Sequence, residues 1–193
     1  MININDIDYH NKTSAPWVST EIFVQGCNQN CSECFNQDLR EIKDSCFKST
    51  RTIVSLMDKY VPYLAVTFSG GEPMLQAKGL SKIAKKLYKK GFIIICYTGY
   101  EYEHLDQIPH SRKLLENIDI LVDGRYIKEQ RILTGEDFSF VGSSNQRIID
   151  VPASLALNKI ILLNDETKKS YYDYVMHYSN GSDYINNNKR LLA

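Results

Sequence analysis

The segment LAVTFSGGEP (residues 64–73) joins an apolar run directly to a turn that contains two glycines. An apolar run of this length, rich in β-branched and aromatic residues, predicts a buried strand. Three other segments have the same form: EIFVQG (21–26), FIIICYTGY (92–100) and IDILVDG (118–124). The chain therefore contains four predicted strands, each of which ends in or beside a glycine.

Two amphipathic helices are predicted between these strands. Ser49 and Thr50 suit a helix cap, and the apolar spacing that follows continues as far as Pro62. The second helix has a lysine-rich outer face and stops at Gly91. The apolar faces comprise Ile53, Leu56, Met57 and Tyr60 in the first helix, and Leu80, Ile83, Ala84, Leu87 and Tyr88 in the second.

Alternating helices and unbroken apolar strands predict an α/β fold with a parallel sheet covered by helices. A closed barrel of eight βα units needs about 250 residues, more than the 193 present, so we expect a partial, open βα barrel. Ligands of such folds collect at the C-terminal ends of the strands. We assign residues 1–163 to this domain and residues 164–193 to a peripheral helix and tail.

The composition excludes several classes of partner. Lys plus Arg and Asp plus Glu both total 23, so no net charge attracts the chain to nucleic acid or to an anionic membrane. The N-terminus does not have the form of a secretion signal, and the apolar runs are too short to span a bilayer. We expect a cytoplasmic protein without a nucleic-acid or membrane partner. In that reducing compartment, clustered cysteines indicate metal or redox chemistry.

Three cysteines lie within the segment GCNQNCSECFN (26–36): Cys27, Cys31 and Cys34. A structural zinc site needs four ligands, so Cys46 or a histidine would have to complete it. A four-iron cluster with three thiolates leaves one iron open to another ligand. Three unligated thiols are the remaining alternative. Cys96, inside an apolar run, is predicted to be a core thiol.

The CxxxCxxC spacing, followed by SGGEP at a strand end, resembles the radical S-adenosylmethionine (SAM) superfamily. Further motifs, in order, are GCNQNCSECFN, FSGGEP, YTGYEYEHL, ILVDGRYI and FVGSSNQRIIDV. Together they resemble the anaerobic ribonucleoside-triphosphate reductase activating proteins over roughly residues 20–155, and the last two are specific to that subfamily. The resemblance implies the radical SAM type of partial barrel.

The resemblance implies a set of site residues. The three cysteines would hold a [4Fe-4S] cluster, and the glycine turn would receive the amino group of SAM. We therefore expect Gly71→Val to leave the fold intact while weakening SAM binding. The residues assigned to SAM binding are Asn28, Phe35, Gly70, Gly71, Glu72, Thr98, Gly99, Tyr100 and Asp123. For Thr98 to Tyr100 a simple strand-ending turn, and for Asp123 a turn cap, remain open alternatives.

The resemblance also implies a reaction. A low-potential donor such as flavodoxin reduces the cluster, SAM is cleaved to methionine and a 5′-deoxyadenosyl radical, and this radical takes a hydrogen atom from a glycine of the anaerobic reductase. Alternatives are another glycyl-radical enzyme, a small-molecule substrate, or a zinc-stabilised adaptor without catalysis. The polar run Ser143–Arg147 is expected to bind SAM, face the partner or form a solvated loop.

The chain departs from the family pattern in two places. TSAPWVSTEIF replaces a Gly-Pro-Gly and arginine segment, and Ser32 and Glu33 stand where relatives have Pro-Gly. The cysteine spacing is unchanged. We expect the charge of Glu33 beside the cluster to disfavour reduction modestly.

Overall fold

The structure is a computed structural model that describes residues 1–60, 63–132 and 140–178. The strands and helices, in chain order, are β1 (Ile2–Asn11), β2 (Ser19–Val24), β3 (Cys46–Lys48), α1 (Thr50–Tyr60), β4 (Ala65–Gly70), α2 (Ala77–Tyr88), β5 (Ile93–Tyr97), α3 (Ser111–Leu115), β6 (Ile120–Asp123), β7 (Arg147–Asp150), α4 (Val151–Leu157) and α5 (Asp165–Tyr178). Short 3-10 helices span Gln37–Leu39, Pro73–Gln76, Tyr102–Gln107 and Lys128–Gln130.

Seven strands form one sheet in the order β3-β1-β2-β4-β5-β6-β7. The four central strands β2, β4, β5 and β6 are parallel. At one margin β1 runs antiparallel to both β2 and β3, and at the other β7 runs antiparallel to β6. The predicted α/β class is confirmed, and the central strands are parallel as predicted. The expectation of a parallel sheet is wrong at both margins, where the strands run antiparallel.

The four predicted strands and both predicted helices are present. β2 begins and ends two residues earlier than predicted, at Ser19 and Val24. Arg147, which we placed in a polar loop, begins β7. Pro62, the predicted end of the first helix, lies outside the described residues.

The sheet buries apolar side chains on both faces because neighbouring strand residues point in opposite directions. Ile22, Val66, Phe68 and Ile94 belong to the larger core cluster, together with the apolar residues of α1 and α2. On the opposite face a second cluster comprises Ala15, Trp17, Ala65, Ile93, Ile95, Ile120, Val122, Phe140, Val141, Tyr171 and Val175. The second face is apolar near the N-terminal ends of the strands, which leaves their C-terminal ends for a site.

The helix α5 contributes Tyr171 and Val175 to the second cluster, so it packs on the sheet face opposite α1 and α2. The division into residues 1–163 and 164–193 stays a prediction, and the tail beyond Tyr178 lies outside the described residues. Among the described residues, no helix has the length and apolar character needed to cross a membrane.

Candidate functional site

A cavity of about 550 Å³ lies at the C-terminal ends of the parallel strands. It is lined by most of the residues that the sequence assigned to a site: Cys27, Cys31, Cys34, Phe35, Gly70, Gly71, Glu72, Thr98 and Gly99. The parallel sheet brings these residues together because the loops that follow neighbouring strands emerge at the same edge.

The cysteine loop presents three half-buried thiols to this cavity. Backbone N–H groups are already directed at two of the sulfurs: Gln29 donates to Cys27 Sγ and Asn36 donates to Cys34 Sγ, each at 3.4 Å. Burial raises the pKa of the Cys27 thiol, as expected for a thiol that is partly removed from water. Backbone N–H donors such as those of Gln29 and Asn36 stabilise thiolate sulfur and tune the reduction potential of a cluster.

The other two cysteines do not line the cavity. Cys46 lies in the edge strand β3, opposite Ile4 of β1, and packs against the larger core cluster. Cys96 is fully buried in β5, so its prediction as a core thiol is confirmed.

The three thiols fit a cluster better than a single ion. Among the described residues, no group of three Cys, His, Asp or Glu side chains is arranged to hold one metal ion. In an iron–sulfur cluster each thiolate binds a different iron, so the sulfurs need not converge on one point. Three thiols on one cavity wall, two of them with N–H donors, therefore provide a suitable ligand set for a [4Fe-4S] cluster.

The glycine turn after β4 is hydrogen-bonded to the start of the cysteine loop. Gly71 N–H donates to Val24 O and Glu72 N–H donates to Gly26 O, both at 2.8 Å. A Cβ atom on Gly71 would lie on the carbonyl group of Gly26, 2.7 Å from its carbon. Our expectation that Gly71→Val leaves the fold intact is therefore wrong, because the close approach at Gly71 is to the protein's own backbone.

The carboxylate of Glu72 braces two neighbouring turns. It is 1% exposed and accepts hydrogen bonds from Met74 N–H at 2.9 Å, Thr98 Oγ1 at 2.8 Å and Gly99 N–H at 2.8 Å. Burial raises the pKa of Glu72 to about 7 against the lowering effect of these donors. The side chain thus joins the turn after β4 to the turn after β5.

Three predicted site residues do not line the cavity, and each has a protein partner. Asn28 Nδ2 donates to the Tyr100 hydroxyl at 2.7 Å, which connects the cysteine loop to the turn after β5. Asp123 is buried and accepts from Arg147 Nε at 3.0 Å and from Tyr102 N–H at 2.8 Å. Asp123 therefore joins β6 to β7 through Arg147 and to the 3-10 helix through Tyr102.

The Asp123 contact is part of a larger ion-pair network. Arg147 also forms two parallel bonds to Glu103, at 2.9 and 2.7 Å. These bonds hold the pKa of Glu103 down at about 2. The fork geometry of the guanidinium fixes the 3-10 helix Tyr102–Gln107 against the sheet.

The segment that follows β6 covers the cysteine loop. Arg125 Nε donates to Gln29 Oε1 at 2.8 Å, and Lys128 forms an ion pair with Glu33. The ring centroids of Phe35 and Tyr126 lie 4.8 Å apart. The cation of Lys128 offsets the negative charge of Glu33, which weakens the effect that we expected Glu33 to have on reduction.

The polar run Ser143–Arg147 supports this covering segment. Gln146 Nε2 donates to Gly124 O at 2.9 Å, and Asn145 Nδ2 donates to Arg125 O at 2.8 Å. Of this run, only Gln146 lines the cavity. The two motifs specific to the resembled subfamily, LVDGRYI and GSSNQR, thus form one packed unit beside the cysteines.

Sequence reasoning missed several cavity residues that lie on strands. Glu21 of β2, Ser69 of β4 and Tyr97 of β5 line the cavity below the turns. The Tyr97 hydroxyl donates to Ser14 O at 3.1 Å and also to Phe140 O. A polar residue at alternate positions of an otherwise apolar strand is the signal that identifies such residues.

Comparisons with known proteins agree with this site. A family model described as a 4Fe-4S single cluster domain matches residues 16–149. An anaerobic ribonucleoside-triphosphate reductase-activating protein of Haemophilus influenzae is 31% identical over 137 residues, which cover 66% of this chain and 84% of that protein. Its counterpart from Vibrio cholerae is 29% identical over 144 residues, covering 70% of this chain and 89% of that protein.

A pyruvate formate-lyase-activating enzyme of Clostridium pasteurianum is 29% identical over 133 residues. The match covers 65% of this chain but only 56% of that enzyme, so the chain spans about half the length of this relative. The enzymes among these relatives oppose the alternative of a zinc-stabilised adaptor without catalysis. The chain belongs to the 4Fe-4S single cluster family and, within it, to the radical SAM activating enzymes of glycyl-radical enzymes.

Proposed function

We propose that this radical SAM activase cleaves SAM reductively and generates a glycyl radical on the anaerobic ribonucleoside-triphosphate reductase. The observation that carries the proposal is the direct joining of the cysteine loop to the glycine turn. Glu72 N–H bonds to Gly26 O, one residue before Cys27, and both segments line the same cavity. A ligand that touches the turn is thereby held beside the thiols.

Each part of the cavity has a role in the proposal. Cys27, Cys31 and Cys34 hold the cluster, which when bound supplies the electron for cleavage. The backbone of Gly70 and Gly71 receives the methionine end of SAM, and the turn that begins at Thr98 borders the nucleoside. Two further assigned residues, Asn28 and Tyr100, fix the cysteine loop to that turn.

The covering segment serves to exclude water. Phe35, which is 58% exposed, and Tyr126 line the cavity with their rings tilted and their centroids 4.8 Å apart. Arg131 lies over Phe35 at 5.1 Å from the ring centroid. A reactive radical needs such shielding, because water and small solutes would quench it. Closure of the sheet into a partial barrel of the radical SAM type, which would complete the enclosure, is part of the proposal.

The partner is the finer part of the proposal. The two reductase-activating relatives match over most of their length, and the packed LVDGRYI and GSSNQR unit supports the same target. A different glycyl-radical enzyme is the second candidate, since the Clostridium relative activates pyruvate formate-lyase by name. We further propose a flavodoxin-type donor, a cytoplasmic location, and no nucleic-acid or membrane partner.

The test is anaerobic. The protein is reconstituted with iron and sulfide, reduced with dithionite, and examined by electron paramagnetic resonance with and without SAM. We expect a [4Fe-4S] signal that changes when SAM is added, with methionine and 5′-deoxyadenosine as products. Adding the anaerobic reductase from the same source should give a glycyl radical signal on that protein. A cluster signal that does not change when SAM is added would refute the SAM site. A radical on another glycyl-radical enzyme alone would refute the choice of partner.

A further inference from the structure

A carboxylate on the cavity wall has no part in the reaction proposed above. Glu21 of β2 is 5% exposed, and its side chain lines the cavity. The hydroxyl group of Ser69 donates to Glu21 Oε1, whereas the nearby hydroxyl group of Ser14 donates to Asn11 Oδ1 at 2.9 Å. The donor to Glu21 is therefore neutral.

Among the described residues, no Lys, Arg or His forms an ion pair with Glu21, so a negative charge there has no cationic partner in this part of the chain. Asp8 of β1 stands directly opposite Glu21 in the strand pairing, which places two acidic residues side by side. Like charges in this position destabilise a sheet, and a buried carboxylate without a cation is unfavourable. Burial accordingly raises the pKa of Glu21, and Asp8 raises it further.

Glu21 lies at the end of the cavity that is remote from the cysteines. It pairs with Thr67, three positions before the pairing of Val24 with Gly70. A strand rises about 3.3 Å per residue, so Glu21 lies about 10 Å from the glycine turn along the strand direction. Its neighbours there are Asn11, Thr13 and Ser14, which line the cavity and reach the surface at the exposed Thr13.

We propose that Glu21, with the hydroxyl group of Ser69, forms a subsite for a lysine or arginine side chain of the partner polypeptide, close to the glycine that is activated. The subsite rests on the proposed function, because it assumes a polypeptide substrate in this cavity. It adds a recognition element for that substrate.

A cation is the ligand that this environment favours. Filling the cavity removes the remaining water from Glu21. A positive partner then compensates a charge that burial otherwise disfavours, and the Ser69 hydroxyl group keeps its hydrogen bond to the carboxylate. The charged part of SAM belongs beside the thiols and the glycine turn, about 10 Å away along the strand. A long basic side chain that enters past Thr13 has the reach to contact Glu21.

The test separates substrate recognition from the chemistry of SAM. Glu21→Gln removes the charge with little change in shape, and Glu21→Met removes the polar group at similar volume, so that either folded variant is informative. Glu116→Gln, at the exposed residue that follows α3 and pairs with Arg112, is the matched control. Cluster content, the SAM-induced spectral change, SAM cleavage without partner, and KM for the anaerobic reductase are measured for each protein.

We expect the Glu21 variants to retain cluster content and partner-free SAM cleavage within about twofold, while KM for the reductase rises at least about tenfold. Reductase variants are then compared in which each Lys or Arg near the target glycine is replaced by Met. One of these replacements should impair activation by the unmodified protein about tenfold, and Glu21→Gln should suffer no further loss from it, as expected for two residues in contact.

Three results would overturn the subsite. Equal losses of SAM binding and glycyl radical formation would assign Glu21 to SAM. An unchanged KM for the reductase would leave Glu21 a structural residue. Additive losses with every basic replacement would exclude direct contact. If the unmodified protein cleaves no SAM or forms no glycyl radical, the proposed function itself has failed.

Discussion

Gly71→Ala tests whether the glycine turn holds the cysteine loop in place. A methyl group on Gly71 would lie 2.7 Å from the carbonyl carbon and 3.0 Å from the nitrogen of Gly26. Both are backbone atoms, so no side-chain rotation relieves the overlap. The turn must move away from β2, and the bonds from Gly71 N–H to Val24 O and from Glu72 N–H to Gly26 O are lost.

The magnitude follows from these contacts. Each lost hydrogen bond contributes about 1 kcal/mol, and forcing extra volume into a packed site costs about 1–3 kcal/mol more. We therefore expect Gly71→Ala to lower the free energy of unfolding by about 3–5 kcal/mol. The same displacement should impair cluster assembly, since Gly26 immediately precedes Cys27.

The assay is urea unfolding of the reduced, cluster-free protein, followed by the fluorescence of Trp17, which is the single tryptophan and is 5% exposed. Gly79→Ala is the control, because its Cβ would lie 3.2 Å from Met1 O and 3.4 Å from Ile2 Cβ, so only a small shift at the start of the chain is needed. We expect Gly79→Ala to cost about 1 kcal/mol or less. The reasoning would be refuted if the free energy of unfolding of Gly71→Ala lay within about 1 kcal/mol of that of the unmodified protein and the variant still bound a cluster. The hydrogen bonds between the two loops would then not be what holds the site.

Three further outcomes are expected. Cys27→Ala should abolish SAM cleavage, whereas Cys46→Ser should retain a [4Fe-4S] signal that responds to SAM; equal loss in both would contradict the three-thiolate ligand set. Asp119 is fully buried, and burial raises its pKa to about 8 from 3.8. The folded state therefore holds a proton that the unfolded state releases, and the stability contributed by this proton falls as pH rises from about 4 to about 8. Asp119→Asn should flatten that fall in urea unfolding, and an unchanged pH profile would contradict the burial argument. Arg147→Met should lower the free energy of unfolding by about 2 kcal/mol because it strips a buried carboxylate of its partner, and Arg112→Met, in an exposed pair, should change it by less than about 1 kcal/mol.

The sequence predicted the centre of the sheet but not its margins, for a physical reason. The central strands are buried on both faces, so FIIICY and its counterparts appear as unbroken apolar runs. β1 has the mixed sequence ININDIDYHN, since an edge region is partly solvated. β3 is only three residues long, and β7 begins inside a polar motif. None of these presents a run that distinguishes a strand from a loop.

The cysteines were recognisable because their spacing is a chemical requirement, whereas Glu21 was not. A site on a strand depends on which face of the sheet the cavity occupies, and alternation alone does not decide this. Glu33 shows a related limit. Its φ of 50° is in the left-handed region, where glycine is favoured. The glycine of the family pattern at this position therefore meets a backbone requirement, which Glu33 meets with some strain.

Acidic residues at strand ends were the least predictable part of the site. Glu72 and Asp123 both follow apolar strands, and a carboxylate in that position can contact a ligand or brace neighbouring loops. The structure provides three protein donors for Glu72 and a guanidinium fork for Asp123. Glu21, by contrast, accepts a hydrogen bond from the neutral Ser69 hydroxyl group and stands opposite the acidic Asp8. Only the folded chain shows how many donors surround each carboxylate and what charge they carry. These donors distinguish Glu72 and Asp123, which brace neighbouring loops, from Glu21, which we propose binds a ligand.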